Sequence, residues 1–152
     1  MEESTLKYWK DAGHVARRTL EAMKLELTPG KTFHEVIESA ERYIHRHGGK
    51  PAFPGTIAVN DLAAHFTTDH AVNQVEGWDG EMVLQKGDCV KIDFGVHIKG
   101  HIADNALTFE VGNGNEHTEQ IKAAKEARDA AIEMMHPGTP WYKVGQAAAQ
   151  PS

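Results

Sequence analysis

Between Leu6 and Leu27, apolar or small residues recur at spacings of three and four, through Trp9, Gly13, Ala16, Leu20 and Met23. That period predicts an amphipathic helix, with Ser4 or Thr5 available to cap it. Thr28-Pro29-Gly30 interrupts the pattern, and a second helix is expected to open at Thr32. Thr32 to Glu35 has the spacing of a capping box, Val36, Ile37, Ala40 and Ile44 follow on one face, and Gly48-Gly49 ends the run. A third helix, rich in Ala, Lys and Glu, is expected from about Glu116 to Met135, and it too is ended by a Pro-Gly pair, Pro137-Gly138.

The middle of the chain changes period. Residues 51–88 are dense in turn formers, and no regular element is assigned there. Val90, Ile92, Phe94, Val96 and Ile98 then alternate with Lys91, Asp93, Gly95 and His97, the pattern of a strand with one apolar face. The return strand reverses parity: Ala103, Leu107, Phe109 and Val111 are apolar, while Asp104, Thr108 and Glu110 are polar. A two-residue turn at Lys99-Gly100 reconciles the two halves, placing Ile92 opposite Leu107 and Val90 opposite Phe109.

That register sets Gly95 opposite Asp104, so Asp93 lies on the same face as Asp104 and diagonal to it, about 7 to 8 Å between backbone positions. Two carboxylates so placed repel, which raises one pKa or weakens the pairing. A divalent cation removes the repulsion and gains hard oxygen ligands. An arbitrary pair of acids on a hairpin more often faces solvent. Gly95 shifts the balance toward a site, because a glycine opposite Asp104 leaves room for close approach.

Superimposing Pro29-Gly30 on Pro137-Gly138 gives an offset of 137 − 29 = 108 residues, which also brings Val36 onto Val144, Ala40 onto Ala148, Ala16 onto Ala124 and Ala22 onto Ala130. The layout of helix, Pro-Gly and helix is therefore expected to repeat. Residues 1–112 would form the first repeat and 113–152 the start of a second, cut short inside a helix at Pro151-Ser152. The chain as a whole reads as a single partial domain.

Composition narrows the functional classes. There are 22 acidic against 16 basic residues, a formal charge of −6, and no sustained basic run, which argues against nucleic acid as a partner. Cys89 is the only cysteine, so no internal disulfide forms. The first residues lack the basic and apolar regions of a secretory signal, and no stretch reaches the ~20 apolar residues of a spanning helix. A cytoplasmic protein without membrane contact is expected. The ten histidines do not by themselves indicate a metal, since most lie on polar faces and His45 and His47 diverge on a helix.

Four ordered segments are more specific: Gly48-Gly49-Lys50-Pro51-Ala52-Phe53-Pro54, Asn60-Asp61-Leu62-Ala63-Ala64-His65, Gly87-Asp88-Cys89-Val90-Lys91-Ile92-Asp93-Phe94-Gly95, and Ile102-Ala103-Asp104-Asn105-Ala106. In order and spacing they resemble the type II methionine aminopeptidases, the archaeal forms above all, over essentially all of residues 5–150. The resemblance implies an α/β (α+β) fold, half of the pita-bread (creatinase/aminopeptidase) architecture, with an antiparallel-rich sheet and helices on one face. It implies two divalent metal ions (Co, Mn, Fe or Zn) per complete site and a substrate that is a nascent protein or peptide N-terminus bearing Met. Asp93 is similar to the family's bidentate aspartate, and Asp104 to the carboxylate that spans both metals. His65 falls on the histidine that reaches the substrate near the scissile bond; in isolation, a histidine in Ala-Ala-His-Phe reads as packed or surface. His97 also has a counterpart and reads as structural. The family's remaining ligands, one His and two Glu, have no matching segment after residue 112, and Phe66-Thr67-Thr68-Asp69 replaces the usual Tyr-Thr-Pro after the histidine.

Three functions fit. The chain is the N-terminal half of a methionine aminopeptidase, inactive until a C-terminal half complements it; or two half-folds pair as a homodimer; or it is a non-catalytic binding module that acts through protein or RNA partners. Retention of Asp93, Asp104 and His65 together counts against the last, and the first is the expected one.

Overall fold

Thr32 shows how far local sequence sets this structure. In the computed structural model, which describes residues 3–68, 82–112 and 114–149, Thr32 has extended backbone and its hydroxyl accepts from the Glu35 amide at 3.1 Å. The Glu35 carboxylate accepts in return from the Thr32 amide at 2.8 Å. The closed capping box launches helix α2 (Phe33–Arg46), which stops at His47 and turns through Gly48 in the left-handed region. Phe33, Val36, Ile37, Ala40 and Ile44 form its buried stripe.

Helix α1 (Glu3–Glu26) precedes it and differs from expectation in two respects. Ser4 and Thr5 lie inside the helix rather than at its cap. The buried stripe begins only at Ala12 and continues through Val15, Ala16, Leu20 and Met23, whereas Leu6 and Trp9 are 43% and 42% exposed. The first turns extend beyond the core to the tip of a hairpin, where Trp9 meets the His101 ring edge-on at 5.3 Å and Tyr8 accepts a hydrogen bond from Lys99. Buried Thr19 is satisfied by donating to the Val15 carbonyl.

The sheet contains β1 (Lys50–Pro51), β2 (Thr56–Val59), β3 (Cys89–Ile98) and β4 (His101–Glu110), all antiparallel to β3. The β3–β4 register is the expected one, with Ile92 opposite Leu107 and Gly95 opposite Asp104. Lys99 and Gly100 both adopt positive φ, 50° and 82°, as a tight two-residue hairpin turn requires. β1 and β2 were not expected in the turn-rich stretch. They share the other edge of β3, and residues 52–55 between them stand opposite only Phe94 and Gly95, so the edge bulges.

Helices α1 and α2 cover one face of this sheet. Val90, Ile92, Phe94 and Val96 point into the core they form, together with Ile57, Leu84 and Val111. Residues 82–84 are tied to the start of α2 through the Phe33 amide to the Met82 carbonyl and the Leu84 amide to the Lys31 carbonyl, both 2.8 Å.

The chain divides into two compact units, residues 1–114 and 115–152. The second contains α3 (Thr118–Met134) and α4 (Trp141–Ala149), packed on each other and joined through Pro137-Gly138. Gly138 has φ 89°, as Gly30 has φ 88° at the corresponding position in the first unit.

Candidate metal centre

The strand that buries Val90, Ile92, Phe94 and Val96 on one side must present Cys89, Lys91, Asp93, Gly95 and His97 on the other. From β4, the directly opposed Ile102, Asp104, Ala106, Thr108 and Glu110 share that second face. Asp93 and Asp104 are therefore brought together as expected, Asp93 opposite Ala106 and diagonal to Asp104. On the other edge, Thr56 stands opposite Asp93.

The environment of Asp93 departs from that of a surface acid. Its Oδ1 is buried and has no hydrogen-bond partner. Burial pushes its carboxyl above the ordinary range; the charge of Asp104 and a hydrogen bond between the two carboxyls act in the same direction, while Lys91 and His65 pull it back. A buried acceptor oxygen without a partner, on a carboxyl beside a second carboxylate, is the arrangement a cation would relieve. The donor set is two hard carboxylates, which suits a divalent ion. It is only part of a coordination shell, because no group of three or more His, Cys, Asp or Glu converges among the described residues.

The space at Gly95 serves a different purpose from the one expected. A Cβ there would lie 2.3 Å from Phe53 Cε1 and 3.0 Å from the Ala52 Cβ. The room left by the missing side chain is thus filled by the Phe53 ring, which the edge bulge carries over Gly95.

His65 arrives from a loop. β2 ends at Val59, Asn60 and His65 take left-handed backbone conformations with φ 52° and 65°, and the chain rejoins the sheet where the Ile57 amide donates to the Phe66 carbonyl at 2.9 Å. Asp88, which carries no charge chemistry in the sequence reading, fastens this loop: its carboxylate accepts from the Asn60 side chain at 2.9 Å and from the Gln85 amide at 2.8 Å. His65 is exposed, near enough to Asp93 to act on its charge. After it, Phe66, Thr67 and Thr68 are buried, with Thr68 hydrogen-bonded to His34 at 3.1 Å; Asp69 lies outside the described residues. His97 is half-buried opposite Lys50, and its Nδ1 accepts from the Gly100 amide at 3.3 Å, a contact within the hairpin turn. The Cys89 thiol is pushed up by burial and by Glu110, which leaves it a poor nucleophile.

Comparison with known proteins fits this geometry. Residues 7–151 match the model of metallopeptidase family M24. The methionine aminopeptidase of Thermococcus onnurineus is 38% identical over 136 residues, 90% of this chain and 43% of that protein. That of Archaeoglobus fulgidus is 36% identical over 147 residues, 97% of this chain and 47% of that protein. The chain thus spans less than half the length of these relatives. Among solved structures, the methionine aminopeptidase of Rickettsia prowazekii superposes with a TM-score of 0.83 at 22% identity, covering 97% of this chain and 59% of that one. The prolidase of Pyrococcus furiosus gives 0.79 at 26% identity, covering 97% and 42%. The fold is accordingly of the pita-bread type, and divalent metal is the cofactor class the family implies. The family match runs over nearly the whole sequence, and the hairpin brings two acids together on the face of the sheet away from the core; this chain is a member of metallopeptidase family M24.

Proposed function

We propose that this chain supplies the two-carboxylate wall of a methionine aminopeptidase site, which removes the initiator methionine from protein and peptide N-termini. The observation that carries the reading is the buried, unpartnered Oδ1 of Asp93, on a carboxyl that the charge of Asp104 reaches across the hairpin. The curated relatives named above bear that activity in their names. Asp93 and Asp104 would contribute ligands to two divalent ions, with Co, Mn, Fe and Zn as the candidates. The chemistry supplied when the ions are bound is Lewis-acid activation of peptide hydrolysis.

The chain's own residues do the rest. Asp93 and Asp104, on adjacent strands of one sheet, fix the ligand oxygens on a rigid support. His65, whose charge acts on Asp93, would donate to a peptide group of the substrate. Two carboxylates hold a transition metal weakly, so the isolated chain is inactive until further ligands from a complementing half complete the shell. In this reading, residues 1–112 are the first of two related repeats and 113–152 open the second. The position of Gly30 and Gly138, in the same conformation at the end of the first helix of each unit, supports it. A single unpaired cysteine suits the reducing cytoplasm, where new protein N-termini are made.

Calorimetric titration with Mn and Co tests the assignment. The chain is expected to bind with a measurable heat that Asp93→Ala abolishes, and identical isotherms for the two proteins would remove Asp93 from the ligand set. Turnover of Met-Ala-Ser by strictly monomeric chain would overturn the view that this wall is incomplete.

A further inference from the structure

The Asn60–Phe66 loop is fastened firmly at its feet and at Leu62, which packs against the core and whose amide donates to the Val59 carbonyl at 3.0 Å, and lightly over residues 63–65. At the first foot, the Asn60 amide donates to the Cys89 carbonyl at 2.9 Å, the Cys89 amide donates to the Asn60 side-chain oxygen at 3.0 Å, and the Asn60 side-chain nitrogen donates to Asp88. At the second, Phe66 is buried and paired with Ile57. Between them, Ala63, Ala64 and His65 are exposed. His65 carries the added cost of a left-handed backbone, with φ 65° in the region that favours glycine. Lys91 holds this stretch: its Nζ donates to the Ala63 carbonyl at 2.6 Å. Lys91 rises from the acid face of β3, two residues before Asp93 and opposite Ala58 and Thr108.

We propose that Lys91 is a positioning residue for the site: by gripping the Ala63 carbonyl from the acid face, it holds the loop down on the sheet and sets where the His65 imidazole stands relative to Asp93 and Asp104. The chemistry suits the task. An ammonium on a carbonyl is a charge-assisted bond, stronger than a neutral one, and the long lysine stem spans the gap that a shorter donor on β3 would leave open. A lysine kept only to balance the acids would point its ammonium at a carboxylate instead. The proposal rests on reading Asp93, Asp104 and His65 as one site, but its test needs neither metal nor substrate.

Amide hydrogen exchange on the full chain compares wild type with Lys91→Met, which keeps the stem and loses the donor, and with Lys91→Arg, which restores a donor. Exchange across residues 62–66 is expected to quicken about three- to tenfold in Lys91→Met, the loss of one charge-assisted bond discounted for solvent exposure, and to return toward wild type in Lys91→Arg. The β3 and β4 amides should stay within about twofold of wild type, as expected of an unperturbed sheet. The His65 ring resonance, assigned by its loss in His65→Gln, should move toward that of a free histidine in Lys91→Met and recover in Lys91→Arg. An unmoved loop and ring in Lys91→Met would overturn the proposal. So would a loss of protection spread evenly over β3 and β4, which would make Lys91 a support of the fold alone; a Lys91→Met that does not fold counts in the same way, and Lys91→Gln repeats the comparison. A chain that binds no cation yet shows the loop response removes the aminopeptidase reading and leaves the clamp standing, whereas cation binding with an unmoved loop does the reverse.

Discussion

Asp93 should destabilise the metal-free protein at neutral pH, and Asp93→Asn should relieve it. The carboxyl sits above its ordinary value of 3.8 because it is partly buried, faces Asp104 and shares a hydrogen bond with it. The folded state then holds this proton more tightly than the unfolded chain. Stability from this group is complete below pH 3.8 and falls as pH rises through the folded-state pKa, above which the full penalty persists. Each unit of displacement corresponds to about 1.4 kcal/mol. Because the carboxyl is only partly buried, solvent screening reduces the effect, and a gain of about 0.5–1 kcal/mol for Asp93→Asn at pH 7 is expected. Asparagine matches the shape of the protonated acid and can donate to Asp104, so the difference should vanish near pH 3. Urea denaturation in EDTA, followed by the methyl signals of Ile92 and Val96, reports the unit that contains the acids. A gain present at pH 3 and absent at pH 7 would refute the reasoning, as would equal stability throughout. Saturating Mn should invert the order, since a ligand bound only by the folded wild type adds about 1.4 kcal/mol for each tenfold excess over its dissociation constant.

Gly95→Ala drives a methyl group to within 2.3 Å of Phe53 Cε1 and is expected to cost about 1–3 kcal/mol, read by thermal denaturation; unchanged stability would mean that the ring is not seated over the strand. Thr32→Ala opens the capping box and should cost about 1 kcal/mol at neutral pH, read by urea denaturation. The Thr32 backbone amide, and after it the Thr32 hydroxyl, hold the Glu35 carboxyl below its ordinary value of 4.5, a contribution present above this pH and lost as pH falls through the folded-state pKa; alanine keeps the amide and removes only the hydroxyl, so most of that pH dependence should persist in Thr32→Ala.

How much of this was legible depends on whether the determining contacts are local. The β3–β4 register follows from two alternations of opposite parity and a turn only two residues long, and it carries the placement of Asp93 and Asp104 with it. The α2 boundary follows equally from Thr32 and Glu35. By contrast, β1 and β2 are two and four residues long, separated by a bulge containing Pro54 and Gly55, and they are strands only because β3 supplies the hydrogen bonds. A helical period can also overstate the core, since Leu6 and Trp9 fit the stripe of α1 and yet meet the hairpin tip. The same limit applies at the site. Alternation puts Lys91 and Gly95 on the acid face, but only the tertiary path of the edge chain brings Ala63 to the first and Phe53 to the second.

The two faces of β3 explain how a strand can carry a carboxyl with one buried, unsatisfied oxygen. Val90, Ile92, Phe94 and Val96 are each no more than 1% exposed, and burial of such side chains is worth about 1.5–3 kcal/mol apiece against an extended chain, an upper bound. The penalty on the opposite face is about 1 kcal/mol or less, so the hairpin keeps Asp93 and Asp104 in register whether or not a cation is present. His65 has no such support. It stands on an exposed span in a disfavoured backbone conformation, and the Lys91 clamp is the contact that ties that span to the strand bearing Asp93. Substitutions in the core should therefore lower stability while leaving the geometry of the acids intact in whatever fraction remains folded. Substitutions at the clamp should do the opposite, moving His65 while the sheet holds.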